Sequence, residues 1–271
     1  MNSTGDADSN LAAAERLVRA AAADGAELVV LPEKWPLLAT GEEMAAGAEP
    51  AHGPTITLAA GWARELGIDL LAGSLSESDG DGPPFNCSVL IGSDGEQRAS
   101  YRKLHMFDVD VEDVSYRESE HEQAGREIVT ATVGEAQLGM TICYDLRFPE
   151  LYRILALRGA DVFSIPSAFT ATTGRAHWEV LLRARAIENA CFVLAANQFG
   201  EAPPHYHSHG HSMIVDPWGR ILAGLGPDEE GFAAAELDFA NQAEVRASLP
   251  ALANRRGDAY EWPREPTEAK V

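Results

Sequence analysis

A chain of 271 residues with a hydrophobic fraction of 45% can bury a sizeable core, which excludes a disordered or low-complexity polypeptide. Its formal net charge of −21 repels phosphate backbones and anionic lipid, which excludes nucleic acid and membrane surfaces as partners. No secretory signal is visible, and no apolar run approaches the ~18 residues of a membrane helix.

Read in chain order, Ala12 to Ala23 predicts a helix, with Asp8, Ser9 or Asn10 as caps and Gly25 after its end. Glu27-Leu-Val-Val-Leu31 is a short apolar run and predicts a buried strand that stops at Pro32-Glu33. Thr55 to Leu66 predicts a helix broken by Gly67, and Asp69 to Gly73 a strand. Phe85 to Gly92 and Glu96 to Tyr101 predict a hairpin around Asp94-Gly95. Residues 105–130 are charged and poorly periodic, and predict a long functional loop. Gln137 to Ile142 predicts a strand, Pro149 to Leu157 a helix and Asp161 to Ile165 a strand. Ala176 to Asn189 predicts a helix, Cys191 to Ala196 a strand, and His211 to Val215 with Arg220 to Leu225 a hairpin around Asp216-Pro-Trp-Gly219. The tail beyond Leu249 reads as extended. Helices and strands alternate without repeats or a linker, which predicts one α/β layered domain with a mixed sheet over residues 1–271.

The most informative segment is Leu138-Gly-Met-Thr-Ile-Cys-Tyr-Asp-Leu-Arg-Phe-Pro-Glu-Leu151. A strand ends at Ile142 and Pro149 suits the first turn of a helix, so Cys143 falls in a tight strand-to-helix turn. Such a turn holds a nucleophile out of the sheet beside a backbone N–H. A buried structural cysteine fits the same segment. A thiol needs a base or cation to activate it. Glu33, at the carboxyl end of a buried strand, and Lys103, in Tyr101-Arg-Lys-Leu-His105, are suited. Each alone also reads as an exposed strand-end charge. The remaining cysteines, Cys87 and Cys191, lie in apolar runs and read as small core residues. Three widely spaced cysteines without a CxxC give no disulfide framework, so a reducing, cytoplasmic setting is expected.

Taken together, these residues resemble the nitrilase superfamily of carbon–nitrogen hydrolases. The matching segments are Glu27-Leu-Val-Val-Leu-Pro-Glu33, Tyr101-Arg-Lys-Leu-His-Met-Phe-Asp108 and Ile142-Cys-Tyr-Asp-Leu-Arg-Phe-Pro-Glu-Leu151. Pro166-Ser-Ala-Phe-Thr170, Thr173-Gly-Arg-Ala-His-Trp-Glu179, Leu182-Arg-Ala-Arg-Ala-Ile-Glu-Asn189 and Gly210-His-Ser-Met-Ile-Val-Asp-Pro-Trp-Gly219 follow in the family's order. The resemblance implies a four-layer αββα sandwich, a homodimer or higher homo-oligomer, and no metal or organic cofactor. It also implies a triad of Glu33 as general base, Lys103 as electrostatic partner and Cys143 as nucleophile, with Glu118 as a second glutamate. The implied substrate is a small-molecule amide: the terminal amide of a 2-oxo acid such as deaminated glutathione, releasing ammonia through a thioester. An omega-amidase acting on 2-oxoglutaramate, or an N-carbamoyl amidohydrolase on the same triad, is the alternative. Tyr144 is expected to give an oxyanion N–H. Arg147 and Arg175 are expected at an anionic substrate, with Thr170, Thr173 and His177 in the same pocket. One departure stands out: the apolar first strand that precedes a segment like Met1-Asn-Ser-Thr4 in the family is expected to be lacking.

Two rivals come from the histidines. His177 could pair with Cys143 as in papain-like enzymes. His205-Tyr-His-Ser-His-Gly-His211 could hold a metal ion, since alternate side chains of a strand face one way.

Overall fold

The structure, a computed structural model, describes residues 1–80, 82–111, 114–203 and 206–261. Helix α1 (Ala7–Ala23) starts where the Asp6 carboxylate accepts the Ser9 N–H, and it buries Asn10, Ala14, Val18 and Ala21 at helical spacing. Strand β1 (Leu28–Val30) and the short helix α2 (Gly41–Ala46) follow. Helix α3 (Pro54–Leu66) has proline in its first turn and ends at Gly67 in the left-handed conformation. Strands β2 (Asp69–Leu71), β3 (Leu75–Glu77), β4 (Phe85–Ile91) and β5 (Gln97–Arg102) complete a five-stranded sheet in the order β1-β2-β4-β3, with β5 paired to β4. A hairpin of β6 (Asp108–Val111) and β7 (Val114–Arg117) leads out of it.

The second half alternates strand and helix: β8 (Thr130–Val133), β9 (Ala136–Met140), α4 (Pro149–Leu157), β10 (Val162–Ser164), α5 (Ala171–Asn189) and β11 (Phe192–Ala195). A hairpin of β12 (Phe199–Ala202) and β13 (Tyr206–His209), then β14 (Met213–Val215), β15 (Ile221–Gly224) and α6 (Phe239–Ser248), complete the described elements. The six-stranded sheet runs β15-β14-β11-β10-β9-β8. Its centre, β9-β10-β11, is parallel, with α4 and α5 as the crossovers that parallel pairing requires.

Helices α1 and α3 cover the first sheet, α4 and α5 cover the second, and β5 meets β8 between them. The layers are therefore helix, sheet, sheet, helix. Leu71, Leu90 and Tyr101 of the first sheet join Leu138, Met140 and Phe163 of the second in one core cluster. Trp35, Ile56, Trp62 and Leu70 fill the space under the first helical layer. The carboxyl ends of β1, β9 and β10 come together, the place where open α/β sheets present functional groups. No helix among the described residues is long and apolar enough to cross a membrane.

Four sequence expectations need correction. Helix α1 starts at Ala7, not Ala12, and its cap is Asp6, with Asp8, Ser9 and Asn10 inside the helix. Residues 105–130 are not all loop: they hold β6, β7 and a 3₁₀ turn, Glu118–Glu120. Helix α5 starts at Ala171, not Ala176, so Arg175 and His177 lie inside it. The misleading residue is Gly174, a weak helix former kept because a Cβ there would come 2.3 Å from the His209 ring. The tail beyond Leu249 contains a turn and a 3₁₀ turn, Gly257–Ala259, and residues 262–271 lie outside the described set.

Gly73 sets the path of the segment after β1. Its φ is +43°, and a Cβ there would lie 2.0 Å from the Pro32 carbonyl oxygen. Gly73→Ala should therefore destabilise the protein by more than about 1 kcal/mol, a fall of several degrees in Tm. Thermal melting checks this, and an unchanged Tm would show that the 31–35 segment has room to shift.

Candidate active site

Glu33 leaves β1 behind Pro32 and is 5% exposed. Its Oε1 accepts hydrogen bonds from Asn86 Nδ2 at 2.8 Å and Lys103 Nζ at 3.0 Å. Its Oε2 accepts the Ala168 N–H at 2.8 Å, which ties the end of β1 to the loop after β10. Lys103 follows β5 and is also buried. Its Nζ donates to both oxygens of Glu118, at 2.8 and 2.9 Å. Glu118 opens the turn after β7 and accepts the Phe107 N–H at 2.6 Å. One ammonium thus lies between two buried carboxylates, each held by a backbone N–H.

The charges are mutually dependent. Burial works against a charged Lys103, but the Glu118 and Glu33 carboxylates override it and hold its pKa well above the ordinary value. Burial would likewise lift Glu118, yet Lys103 keeps that carboxyl below its usual range.

Cys143 stands in the same cavity, at the turn after β9. Its φ is +45°, a strained value for a residue with a Cβ. Its N–H donates to the Pro166 carbonyl at 2.9 Å. Burial raises the thiol pKa well above its usual value, the Glu33 charge pushes it further, and Lys103 opposes both. Asp145, fully buried, anchors this turn: its carboxylate accepts the Ile142 N–H at 2.9 Å, the Tyr101 hydroxyl at 2.6 Å and the His105 N–H at 3.2 Å. His105 Nδ1 lies 2.6 Å from the same carboxylate. The residues flanking Lys103 are thereby clamped to the turn that carries Cys143.

The cavity is lined by Glu33, Lys103, Glu118, Cys143, Tyr144, Thr170 and Thr173 among others. Thr170 and Thr173 share a hydrogen bond of 3.0 Å between their hydroxyls. Arg147, Arg175 and His177 do not line it. Arg147 lies over the rings of Tyr144 and Phe169 and meets His177 Nδ1 at 3.2 Å, while Arg175 and His177 are exposed. A larger cleft of about 1070 Å³ beside β1 holds neither Lys103 nor Cys143.

Sequence reasoning did not place Asn86, Asp145 or Lys34 in the site. Asn86 had a signal, as a polar residue inside the wholly buried strand β4. Lys34 lines the cavity and pairs with Glu122. Of the histidine tract, His205 lies outside the described residues. His207 is exposed, 3.6 Å from Asp228, and the His209 and His211 rings are 4.6 Å apart. Burial, then the neighbouring His211 and Arg175 charges, lower the His209 pKa to about 4. No group of three or more His, Cys, Asp and Glu side chains among the described residues could hold a metal ion. Cys87 and Cys191 are buried, and burial raises both thiols.

A family model described as carbon-nitrogen hydrolase matches residues 1–247. A deaminated glutathione amidase from Synechocystis sp. is 41% identical over 260 residues, spanning 94% of this chain and 95% of the relative. Nit3 of Saccharomyces cerevisiae, described as a member of branch 10 of the nitrilase superfamily, superposes with a TM-score of 0.85 at 31% identity, covering 94% of this chain and 93% of its own. A variant amidase from Nesterenkonia sp. AN1 carries the acetamide moiety of fluoroacetamide added covalently at its active-site cysteine. It superposes with a TM-score of 0.80 at 26% identity, covering 95% of this chain and 91% of that one.

Asp145→Ala would strand the Ile142 N–H, the Tyr101 hydroxyl and the His105 N–H in a dry environment. The expected loss is about 3 kcal/mol of folding stability, measured by denaturant unfolding. A loss under about 1 kcal/mol would mean that the clamp is dispensable.

Proposed function

The chain belongs to the carbon–nitrogen hydrolases of the nitrilase superfamily and is an amidase; from that premise we propose that it hydrolyses the amide of a small 2-oxo acid through a thioester on Cys143. The observation that carries this reading is the Lys103 ammonium fixed between the Glu33 and Glu118 carboxylates in the cavity that also holds Cys143. The catalytic domain is taken as residues 1–271.

The reaction runs as follows. Glu33 accepts the thiol proton as Sγ attacks the amide carbon. The oxyanion is held by Lys103 and by the Tyr144 N–H, and losing one such donor costs about 3–4 kcal/mol of barrier. Collapse breaks the carbon–nitrogen bond while Glu33 returns the proton to the departing nitrogen. Glu33 then takes a proton from water, whose oxygen adds to the thioester. The carbon–sulfur bond breaks, the acid leaves and the thiol regains its proton. Glu118 touches Lys103 and fixes where the ammonium points.

Deaminated glutathione is the favoured substrate, supported by the similarity to an amidase of that name. Its scissile nitrogen belongs to a dipeptide, so the leaving group is a primary amine; only 2-oxoglutaramate would release ammonia. The expectation of ammonia in both cases is corrected accordingly. Exposed Leu157, Val180, Ile187 and Trp218 on the α4–α5 side support self-association through that helical layer.

Release of the common 2-oxo acid product from both substrates tests this. Cys143→Ala and Glu33→Gln should each lower turnover by roughly 10³-fold or more. Unchanged turnover in Cys143→Ala would sink the reading. Because the thiol is held well above its usual pKa, the rate should not climb through pH 8–9, where free cysteine ionises. A rise there would argue for a pre-formed thiolate instead of base catalysis by Glu33.

A further inference from the structure

A second buried ion pair enters the catalytic cavity and takes no part in the steps above. Lys34 follows Glu33 directly and has a left-handed backbone, φ +54°, with its N–H donating to Ser74 Oγ at 3.1 Å. Its Nζ donates to Ser76 Oγ at 2.8 Å and pairs with Glu122 Oε1, and the Ser76 hydroxyl donates to that same oxygen at 3.1 Å. The two charged side chains are 5% and 4% exposed, and both line the cavity that holds Cys143.

The composition of the cavity gives this pair a consequence. Its lining includes three acids, Glu33, Glu118 and Glu122, against two lysines, Lys34 and Lys103. An acyl group bearing its own carboxylate would add a further negative charge to a site that already has one in excess. Lys103 is committed to Glu33 and Glu118, and Arg147 and Arg175 do not line the cavity. Lys34 is the remaining cation of the described lining. An ammonium has three N–H donors, and Lys34 spends two on Ser76 and Glu122.

We propose that Lys34 is a specificity residue of the amide pocket: its ammonium takes the carboxylate at the far end of an anionic acyl group, and Glu122 is the internal counter-ion which that carboxylate displaces. This rests on the amidase reading of the site. Displaced from Lys34, Glu122 binds a proton from solvent and becomes neutral. Burial already lifts the Glu122 carboxyl above its ordinary value, with Lys34 opposing and Glu118 adding to the rise. The charged and titratable groups around Glu122 are Lys34 from the segment after β1, Glu118 on its own turn, Lys103 after β5 and Tyr116 on β7. Binding of an anionic amide therefore takes up a proton and weakens as pH rises above the Glu122 pKa. A neutral amide of the same length shows neither effect.

The test is calorimetric binding of glutaramate and of pentanamide, which has the same length and no carboxylate, to the Cys143→Ala protein, so that no turnover intervenes. Two buffers of different ionisation enthalpy report protons taken up. Adding Lys34→Met should weaken glutaramate about tenfold or more, the size of a lost charged hydrogen bond. Pentanamide should change less than about twofold, and Lys34→Arg should restore most of the glutaramate affinity. Glu122→Gln, which imitates the protonated acid, should tighten glutaramate and abolish its proton uptake. Equal weakening of both amides, no proton uptake, or no binding of either ligand by a folded protein would overturn the proposal. The amidase reading fails separately, if the protein with Cys143 intact hydrolyses no amide.

Discussion

The Lys103 ammonium between the Glu33 and Glu118 carboxylates is the interaction on which the rest depends. Three charges taken out of water are tolerable only if each is paired and every remaining lone pair is satisfied. The structure meets that demand with Asn86 and the Ala168 and Phe107 N–H groups. Those partners come from β4, from the loop after β10 and from the segment before β6. The charge network therefore fixes how the two sheets and the β6–β7 hairpin meet. Removing one of three such partners typically costs 3–5 kcal/mol, because it strands the others.

The proposed reaction draws on the same arrangement. Burial, and then the Glu33 charge, raise the Cys143 thiol well above its usual pKa, so it is a poor nucleophile alone, and in the proposed reaction that same carboxylate is the base that removes its proton. Lys103 opposes that rise at rest, and in the proposed reaction its positive charge grows in value once an oxyanion forms beside it. The left-handed backbone at Cys143, clamped through Asp145 to Tyr101 and His105, holds sulfur at the mouth of the parallel strands. Asp145 bonds to the residues flanking Lys103, so the turn and the cation move as one unit.

Much of this was legible in the sequence. Short apolar runs ending in Pro32-Glu33 and in Ile142-Cys143 marked strand ends, and Pro149 marked the start of α4. Motif resemblance then brought Glu33, Lys103, Glu118 and Cys143 together. The hairpins β6–β7 and β12–β13 were missed because each strand is only four residues long, too short for its alternation to stand out among charged and histidine-rich neighbours. The start of α5 was missed because Gly174 reads as a break, and only the His209 ring across from it explains the glycine. Lys34 was invisible because a lysine beside a catalytic strand end reads as a solvated charge. Only its contact with Glu122, 88 positions away, shows it to be buried.

The account's central claim is that an acyl group passes through Cys143. Acid-quenched intact mass measurement during turnover of an amide tests it most directly, followed by peptide mapping. The account predicts a population heavier by the acyl group, with the added mass on the peptide carrying Cys143. Sustained turnover with Cys143 never modified would contradict it.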